Sequence, residues 1–285
     1  MGDRAVTTPS IALSNGVDRR HDDTPGSEPP SVRIPLLGLG TWQARGEDAY
    51  GAVRAALDFG YRHIDTATVY RNEKAVGEAV RDSGLARSEV FITTKIPSEN
   101  AGRERRTLEE SLSALGVEQL DLWLIHSPPA RRAGAGVWRQ LIAAREAGLT
   151  RAIGVSNYSI AQIDELIDVT GVAPAANQIL WHVERHDPAV VAAHAERDVV
   201  LEGYSPFKHT KMSAPPLVEA GAAHGKTPQQ VVLRWHLQHG IVVIPKSTHQ
   251  DRIAANFDVF DFELSPDQMA AIDGLGTSRG RGRRR

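Results

Sequence analysis

Short apolar runs alternate with longer amphipathic stretches from about residue 36 to the C-terminal end of the chain. Each run is rich in valine, isoleucine or leucine, which is typical of strands that are buried in a parallel sheet. The pattern predicts eight strands, over residues 36–40, 62–66, 90–95, 121–126, 150–157, 174–180, 199–206 and 241–246.

The intervening stretches have the periodicity and the terminal residues of helices. Gly60 and Gly116 follow two of them, at the position after a helix where glycine is favoured. Ser159 opens a third, and Thr227 followed by Pro228 opens a fourth. We therefore expect strands and helices to alternate eight times over about 245 residues, as in an α/β protein with a (β/α)8 TIM barrel.

A doubly wound parallel sheet shares this alternation and is the main alternative to the barrel. Its dinucleotide-binding form carries three glycines in the turn after the first strand, because the backbone there must approach a pyrophosphate. The corresponding segment here reads GLGTWQ, with Gln43 in the place of the third glycine after Gly38 and Gly40. The fingerprint is absent, which favours the barrel.

Residues 1–31 form a polar N-terminal segment in front of the predicted barrel. Within it, SIALSNGV predicts a strand that enters a hairpin turn at Asn15-Gly16. The return strand is delayed by residues 18–31, which are polar and rich in proline and glycine. We therefore expect an N-terminal β-hairpin that carries a polar insertion, followed by a barrel over residues 32–276.

Composition changes this picture mainly at the C-terminal end. Residues 277–285 contain five arginines, and without them the chain has 28 basic against 35 acidic residues. A mildly acidic body argues against a nucleic-acid partner, and we expect the arginine-rich tail to be solvated. The chain has no cysteine, no apolar signal segment and no run of about 18 apolar residues, so a cytoplasmic protein without a membrane partner is expected.

Polar side chains close most of the predicted strands. In a (β/α)8 barrel the C-terminal ends of the strands meet around one mouth, where active sites are built. The residues at these ends are Asp65, Lys95, His126, Ser156, Asn157, Gln178, Tyr204, Ser205 and Lys246. We therefore expect these side chains to converge on a candidate active site.

Lys95 is unusual because the chain has only six lysines against 27 arginines. Taken alone, a lysine at a strand end is explained by a side chain that extends to solvent. Asp65 has a similar ordinary explanation, since Asp65 or Thr66 would cap the helix that follows. Finding Asp65, Lys95 and His126 at the ends of consecutive strands favours a shared site over these separate explanations.

Tyr70 follows Asp65 by five residues in the segment HIDTATVYRNE, so the loop is long enough to return its phenol to the barrel mouth. A buried ammonium beside a phenol is expected to lower the tyrosine pKa from about 10, and Asp65 would hold the charge of Lys95 in place. Tyr70 is then suited to act as a general acid toward an oxygen that His126 orients. The pattern predicts four catalytic residues, Asp65, Tyr70, Lys95 and His126.

These residues resemble the aldo-keto reductases, NADPH-dependent oxidoreductases with a (β/α)8 barrel, and in particular bacterial members similar to 2,5-diketo-gluconate reductases. The resemblance extends from about residue 11 to residue 277 and rests on LGLGTWQ, HIDTATVYRNE, FITTK, DLWLIHSP, IGVSNYS, ANQI, YSPF and IPKSTHQDRI. It implies a monomeric enzyme that reduces aldehydes or ketones to alcohols, with the family's catalytic tetrad on the four residues named above. A cofactor-sensing regulatory subunit with little turnover is the alternative within the same superfamily.

The resemblance also implies a binding path for NADPH across the barrel mouth. Ser156, Asn157 and Gln178 would bind the nicotinamide carboxamide. Lys246, Ser247 and Arg252 would hold the adenosine 2′-phosphate, and a dianionic phosphate favours such a set of cations and hydroxyls. The full set of implied cofactor positions is Gly40, Thr41, Trp42, Asp65, Ser156, Asn157, Gln178, Tyr204, Ser205, Pro206, Phe207, Lys208, Lys246, Ser247, Thr248, Arg252 and Asn256.

The implied substrate is a small carbonyl compound, and its pocket departs from the common pattern of the family. The residues expected to contact it are Trp42, Tyr70, His126 and Ser127. Ser127 stands where a tryptophan is frequent, and the chain after Asp273 is short, so an open pocket with broad carbonyl acceptance is expected. Ala255 replaces a common glutamate beside the adenine, and Lys208 replaces a common glycine near the pyrophosphate.

The remaining histidines fall mostly on predicted loops or helices. They are His182, His186, His194, His209, His224, His236, His239 and His249. No pair among them has metal-ligand spacing together with supporting carboxylates, so no metal is expected.

Overall fold

The structure is a computed structural model, and it describes residues 8–14, 32–129 and 132–277. The predicted turn at Asn15-Gly16, the insertion over 18–31 and the arginines of the C-terminal tail lie outside the described residues.

The N-terminal hairpin is formed by β1 (Ser10–Leu13) and β2 (Val32–Pro35), which pair antiparallel. It packs against the beginnings of the barrel strands, where Leu13, Val32 and Ile34 are buried in one cluster with Leu122 and Ala152. The hairpin therefore closes the end of the barrel that lies opposite the mouth, and the predicted return strand is confirmed.

Eight parallel strands form the inner layer and are hydrogen-bonded in chain order. They are β3 (Leu39–Gly40), β4 (His63–Asp65), β5 (Phe91–Ile96), β6 (Leu120–Ile125), β7 (Thr150–Ser156), β8 (Ala176–Leu180), β9 (Val200–Tyr204) and β10 (Val242–Ile244). Isolated parallel bridges join Leu37 to Val243 and Gly40 to Lys246, so the sheet closes on itself. The predicted (β/α)8 barrel is confirmed.

Helices cover the outside of this barrel in the described parts of the chain. They are α1 (Gly46–Phe59), α2 (Glu73–Asp82), α3 (Glu104–Leu115), α4 (Ala135–Glu146), α5 (Ile160–Thr170), α6 (Pro188–Ala195), α7 (Pro215–His224), α8 (Pro228–Gln238), α9 (Gln250–Phe257) and α10 (Pro266–Thr277). None of these helices is both long enough and apolar enough to cross a bilayer.

The helix boundaries follow the predicted capping residues. Gly60 and Gly116 adopt left-handed backbone angles, with φ of 108° and 67°, and end α1 and α3. The side chains of Ser159 and Thr227 accept hydrogen bonds from the backbone of the third residue of α5 and α8. Each of these boundaries is fixed by a local interaction, which is why the sequence alone places it.

The first barrel strand is shorter than the predicted span 36–40. Only Leu39–Gly40 pairs continuously with β4, while Leu37 makes a single bridge to β10. Between them a side chain on Gly38 would meet the His63 ring at 2.5 Å, so the backbone passes closely over a buried residue there. The short strand still ends where the prediction places it, at the barrel mouth.

Candidate active site

Three neighbouring strands bring the predicted catalytic residues together at the barrel mouth. Asp65 is the last residue of β4, and Lys95 is the residue before the end of β5. His126 follows β6 directly, and its backbone N–H donates to the carbonyl of Ile96 at 2.9 Å. Because these strands are parallel neighbours, their carboxyl ends converge as predicted.

Lys95 is fully buried and uses all three of its ammonium protons. Its Nζ donates to both carboxylate oxygens of Asp65, at 2.6 and 2.7 Å, and to the carbonyl of Thr66 at 2.8 Å. Burial is the largest single influence and lowers the pKa of the ammonium. The charge and the hydrogen bonds of Asp65, together with contributions from Tyr70 and Glu202, outweigh it and raise the pKa of Lys95 above its usual value. Lys95 is therefore a fixed positive charge.

Asp65 receives two further sets of hydrogen bonds from across the barrel mouth. Gln178 on β8 donates to its second carboxylate oxygen at 2.8 Å. Thr41 donates to its backbone carbonyl through both its N–H, at 3.0 Å, and its hydroxyl, at 2.9 Å. The carboxylate thus accepts three hydrogen bonds, which compensate the burial of an ion that is 2% exposed.

The loop after β4 turns Tyr70 back toward Lys95. Thr68 donates to the carbonyl of Lys95 at 2.9 Å, and the 3-10 turn Thr68–Tyr70 ends at Arg71, whose φ of 56° lies in the left-handed region. Asn72 then ties the loop to the end of β3 through its bond to the carbonyl of Thr41 at 3.0 Å. As a result the Tyr70 ring centroid lies 5.4 Å from Lys95 Nζ.

Asn72 also decides between the two explanations of Asp65. The helix α2 begins at Glu73 with Asn72 as the preceding capping residue, while Asp65 lies within β4. The interpretation of Asp65 or Thr66 as a helix cap is therefore wrong. The hydroxyl of Thr66 instead donates to the side-chain oxygen of Asn72 at 2.6 Å and supports the loop.

The electrostatics of Tyr70 differ from the sequence-based expectation. Burial raises the pKa of Tyr70 above its usual value, and the charge of Lys95 lowers it by less than burial raises it. The expectation of a pKa lowered toward neutrality is wrong, because it counted the neighbouring charge and left out the burial. Tyr70 is held as a neutral phenol with a proton to donate.

His126 faces Tyr70 as a neutral imidazole. The two rings meet edge to face, with centroids 5.8 Å apart and planes inclined at 81°. Burial, assisted by the charge of Lys95, lowers the pKa of His126 to about 4. At neutral pH the ring therefore has one N–H donor and no net charge, which suits it to orient a polar oxygen beside Tyr70.

A cleft of about 610 Å³ opens over these residues. It is lined by Gly40, Trp42, Asp65, Val69, Tyr70, His126, Ser156, Asn157, Gln178, Tyr204, Ser205, Lys208, Ile244 and Lys246. Trp42 and Val69 are 55% and 49% exposed and present apolar surface to the cleft. Val69 and Ile244 were not predicted; the apolar residue beside Tyr70 in HIDTATVY was the available signal for Val69.

A second cleft of about 450 Å³ adjoins the first, and Lys246 lines both. Its lining residues are Phe207, Met212, Thr227, Gln229, Lys246, Ser247, Arg252, Ala255 and Asn256. Lys246 and Arg252 are exposed, and neither forms an ion pair within the described ranges. Two such cations beside a hydroxyl provide a site for an anion such as a phosphate.

The polar residues at the ends of β7 and β9 form a hydrogen-bonded set along the first cleft. Tyr204 donates to the side-chain oxygen of Asn157 at 2.9 Å, and the Asn157 amide donates to the carbonyl of His126 at 3.1 Å. Asn157 and Ser205 both have positive φ, of 63° and 54°. A non-glycine residue is uncommon in that region and is found often at functional sites, where the surrounding structure holds the strain.

Four predicted contact residues do not line either cleft. Thr41 is buried and binds the backbone of Asp65, and Pro206 is buried. Thr248 lies beside the second cleft without lining it. Ser127 follows His126, and its hydroxyl lies 3.4 Å from that of Ser98. Their predicted contacts with cofactor or substrate stay predictions.

Known proteins resemble this chain along most of its length. A model of the aldo/keto reductase family matches residues 36–277. The chain is 42% identical over 243 residues to the methylglyoxal reductase DkgA of Salmonella typhimurium, which covers 84% of this chain and 88% of that protein. It is 42% identical over 276 residues to 2,5-diketo-D-gluconic acid reductase B of a Corynebacterium species, which covers 95% and 94%. The structure of a Bombyx mori aldo-keto reductase in complex with NADP superposes with a TM-score of 0.84 at 31% identity, over 95% of this chain and 94% of that one.

Proposed function

The chain belongs to the aldo/keto reductase family, and we propose that it reduces aldehydes or ketones to alcohols with NADPH, with Tyr70 as the proton donor. The observation that carries the proposal is the buried Lys95 ammonium, held by Asp65 and lying 5.4 Å from the Tyr70 ring. This arrangement joins a phenol that keeps its proton to a cation that stabilises the phenolate left after proton transfer.

The residues divide the work of protonating a carbonyl oxygen. Bound NADPH supplies a hydride for the carbonyl carbon. Tyr70 donates its proton to the oxygen as negative charge develops there, and Lys95 stabilises the resulting phenolate. Neutral His126 donates a hydrogen bond to the same oxygen and fixes its position. Asp65 keeps Lys95 charged throughout, since an ammonium buried without a counterion is costly.

The clefts fit an extended dinucleotide phosphate. Ser156, Asn157 and Gln178 offer amide and hydroxyl groups at the end of the cleft that contains Tyr70. Lys246 and Arg252 offer two cations in the adjoining cleft. A 2′-phosphate is the feature that separates NADPH from NADH, and this cation pair favours NADPH.

The substrate class follows from the pocket and from the two reductase relatives. The names of those relatives refer to methylglyoxal and to 2,5-diketo-D-gluconic acid, both of which are small dicarbonyl compounds. The cleft contains polar groups from several strands together with the exposed ring of Trp42. We expect small polar dicarbonyl compounds to be better substrates than long apolar aldehydes.

An NADPH-oxidation assay tests the reaction. Purified protein is mixed with NADPH and, in turn, with methylglyoxal, 2,5-diketo-D-gluconate and p-nitrobenzaldehyde. We expect turnover with at least one of them and none without a carbonyl compound. Tight NADPH binding with negligible turnover on a wide set of carbonyl compounds would instead favour a cofactor-sensing subunit.

A cofactor comparison tests the phosphate site. Lys246→Ala combined with Arg252→Ala is expected to raise the KM for NADPH at least tenfold and to change the KM for NADH less than twofold, because only NADPH carries the 2′-phosphate. Lys74→Ala is a control, since Lys74 is an exposed lysine on α2. Equal effects of the double variant on both cofactors would overturn the assignment.

A further inference from the structure

Three side chains with metal-ligating atoms meet outside the two clefts. His186 follows the 3-10 turn Val183–Arg185, His239 follows the end of α8, and Asp273 lies in α10. One candidate ligand atom from each residue lies within 4.8 Å of the other two. The three residues are far apart in the sequence, so no spacing motif announces them, and the expectation of no metal rested on such spacing.

The distances in this cluster match those of a tetrahedral site. His239 Nε2 and His186 Nε2 lie 2.9 and 3.7 Å from the same oxygen of Asp273. Two ligand atoms of a tetrahedral zinc ion with bonds near 2.0–2.1 Å are separated by about 3.3 Å. The two measured separations lie on either side of this value, and the ligand atoms of the two histidines lie within 4.8 Å of each other. Small side-chain movements are therefore needed to bring all three ligand atoms around one ion.

The surroundings hold the His186 ring in place. Its side chain is 4% exposed, and its ring meets the rings of Trp181 and Trp235 edge to face at 5.8 and 5.0 Å. Its Nδ1 has no hydrogen-bond partner among the residues that the structure describes.

The other two ligands provide an outer contact and an entry path. Trp235 Nε1 donates at 2.7 Å to Asp273 Oδ1, the same oxygen that lies nearest the two histidines, and fixes the orientation of the carboxylate. The side chains of His239 and Asp273 are 22% and 33% exposed, so an ion and a fourth ligand from water have access. When an ion binds, the hydrogen bond between His239 and Asp273 would have to break and its proton would have to be released.

We propose that His186, His239 and Asp273 form a binding site for a divalent ion of the zinc type, with water as the fourth ligand. Two imidazoles and one carboxylate are a usual ligand set for zinc. The ion joins α10 to α8 and to the segment that follows β8. Because none of the three ligands lines the clefts, its role is to stabilise the packing of the C-terminal helix and not to take part in carbonyl reduction.

The test uses the full-length protein after chelator treatment. Zinc is titrated in competition with a chromophoric chelator, and cobalt is added separately as a spectroscopic probe. We expect one equivalent of zinc to bind, the strong visible bands of tetrahedral cobalt, and a rise in the thermal midpoint with either metal.

Two variants and one control decide the assignment. His186→Gln and Asp273→Asn keep a polar side chain of similar size, and each is expected to lower the zinc affinity at least tenfold while leaving the NADPH-dependent activity within twofold. His224→Gln is the control, because His224 also contacts α10, through Gln268 at 3.1 Å, without belonging to the cluster. Its zinc affinity is expected to be unchanged.

Three results would overturn the proposal. They are an absence of zinc binding by the wild-type protein, zinc binding of equal strength in both variants, and weak octahedral cobalt bands. If Asp273→Asn fails to fold by circular dichroism, His186→Gln decides alone. The cobalt spectrum of the wild-type protein is independent of either variant.

Discussion

Two buried acid–base pairs lie in the inner layer of the barrel. They differ in the distance between the two partners and in the hydrogen bonds that each partner makes. Lys95 and Asp65 touch at 2.6 and 2.7 Å, and Thr66 and Gln178 complete their hydrogen bonds. His63 and Glu202 are as deeply buried, but their closest nitrogen and oxygen are 3.8 Å apart. Within the described ranges neither carboxyl oxygen of Glu202 has a hydrogen-bond partner.

His63 and Glu202 are both uncharged because they are buried without the hydrogen bonds that an ion requires. Burial and the nearby charge of Asp65 raise the pKa of Glu202 to about 8, and burial with the charge of Lys95 lowers the pKa of His63 to about 3. Glu202 therefore keeps its proton at neutral pH, and His63 stays uncharged. The buried Asp65 carboxylate is compensated by three hydrogen bonds, whereas the buried Glu202 carboxyl has no donor among the described residues and keeps its proton. Lys95 thus has a single ionised carboxylate as its partner, and its charge is available to Tyr70.

Breaking the charged pair has the largest expected effect. Lys95→Met leaves Asp65 buried without its partner, so the free energy of unfolding should fall by about 3–5 kcal/mol. Activity should fall by about 10²–10⁴-fold, because proton transfer loses its supporting charge. Urea denaturation at neutral pH and the NADPH-oxidation assay measure the two effects. The double variant Lys95→Met with Asp65→Asn should regain much of the stability and none of the activity; a single variant as stable as wild type would contradict this account.

Replacing the neutral acid is expected to change the free energy of unfolding, by an amount that depends on pH, without the large loss of activity. The Glu202 pKa is about 8 in the folded protein against a usual value of 4.5, so above pH 4.5 the unfolded state loses a proton that the folded state keeps. The wild-type protein should therefore lose stability relative to Glu202→Gln by about 1.4 kcal/mol per pH unit as the pH rises from 4.5 to 8. Denaturation of both proteins at several pH values in this window measures the divergence. A difference that does not vary with pH would show that Glu202 is ionised.

The contribution of His63 to the free energy of unfolding should depend on pH in the opposite direction, and at lower pH. Its folded-state pKa of about 3 lies below the usual 6.5, so the unfolded state binds more protons as the pH falls through this window. The wild-type protein should lose about 1 kcal/mol relative to His63→Gln between about pH 6 and about pH 5. The same denaturation series measures it, with His224→Gln as the control at a half-buried histidine outside the barrel interior. Equal slopes for all three proteins would mean that His63 is charged in the barrel.

The pH profile of reduction should show the smallest effect. His126 is neutral above about pH 4, and the pKa of Tyr70 is raised above its usual value. The kcat/KM for reduction should therefore be flat from about pH 5.5 to about pH 9 and should fall only at higher pH, as Tyr70 loses its proton. Steady-state kinetics at saturating NADPH measures this profile. An inflection near neutral pH would show a Tyr70 pKa lowered by Lys95, as the sequence alone suggested.

The parts of the molecule that depend on local rules could be predicted from the sequence. Strand ends are set by short apolar runs, so the sequence places Asp65, Lys95 and His126 at one mouth of the barrel. Helix ends at Gly60 and Thr227 follow from capping chemistry. The pKa of Tyr70 was predicted in the wrong direction, because it is a balance between burial and charge that only three-dimensional packing determines.

The sequence does not predict contacts in the barrel interior or clusters of residues that are far apart in the chain, and the reason is different. Glu202 lies within an apolar run, but whether it faces the barrel interior depends on the strand register, which pairs it with Gln178. The cluster of His186, His239 and Asp273 joins three segments that no periodicity links. Such groups are positioned by the closure of the barrel and by the packing of its helices.

The role of Tyr70 is the central claim, and a single-turnover experiment with Tyr70→Phe tests it most directly. The variant and the wild-type protein are each loaded with NADPH, with cofactor affinity measured by fluorescence, and mixed rapidly with methylglyoxal or the best carbonyl substrate. We expect NADPH affinity within twofold of wild type and a hydride-transfer rate lower by about 10²–10⁴-fold, because the phenol's proton is missing. A variant that transfers hydride at nearly the wild-type rate would contradict the assignment of Tyr70 as the acid.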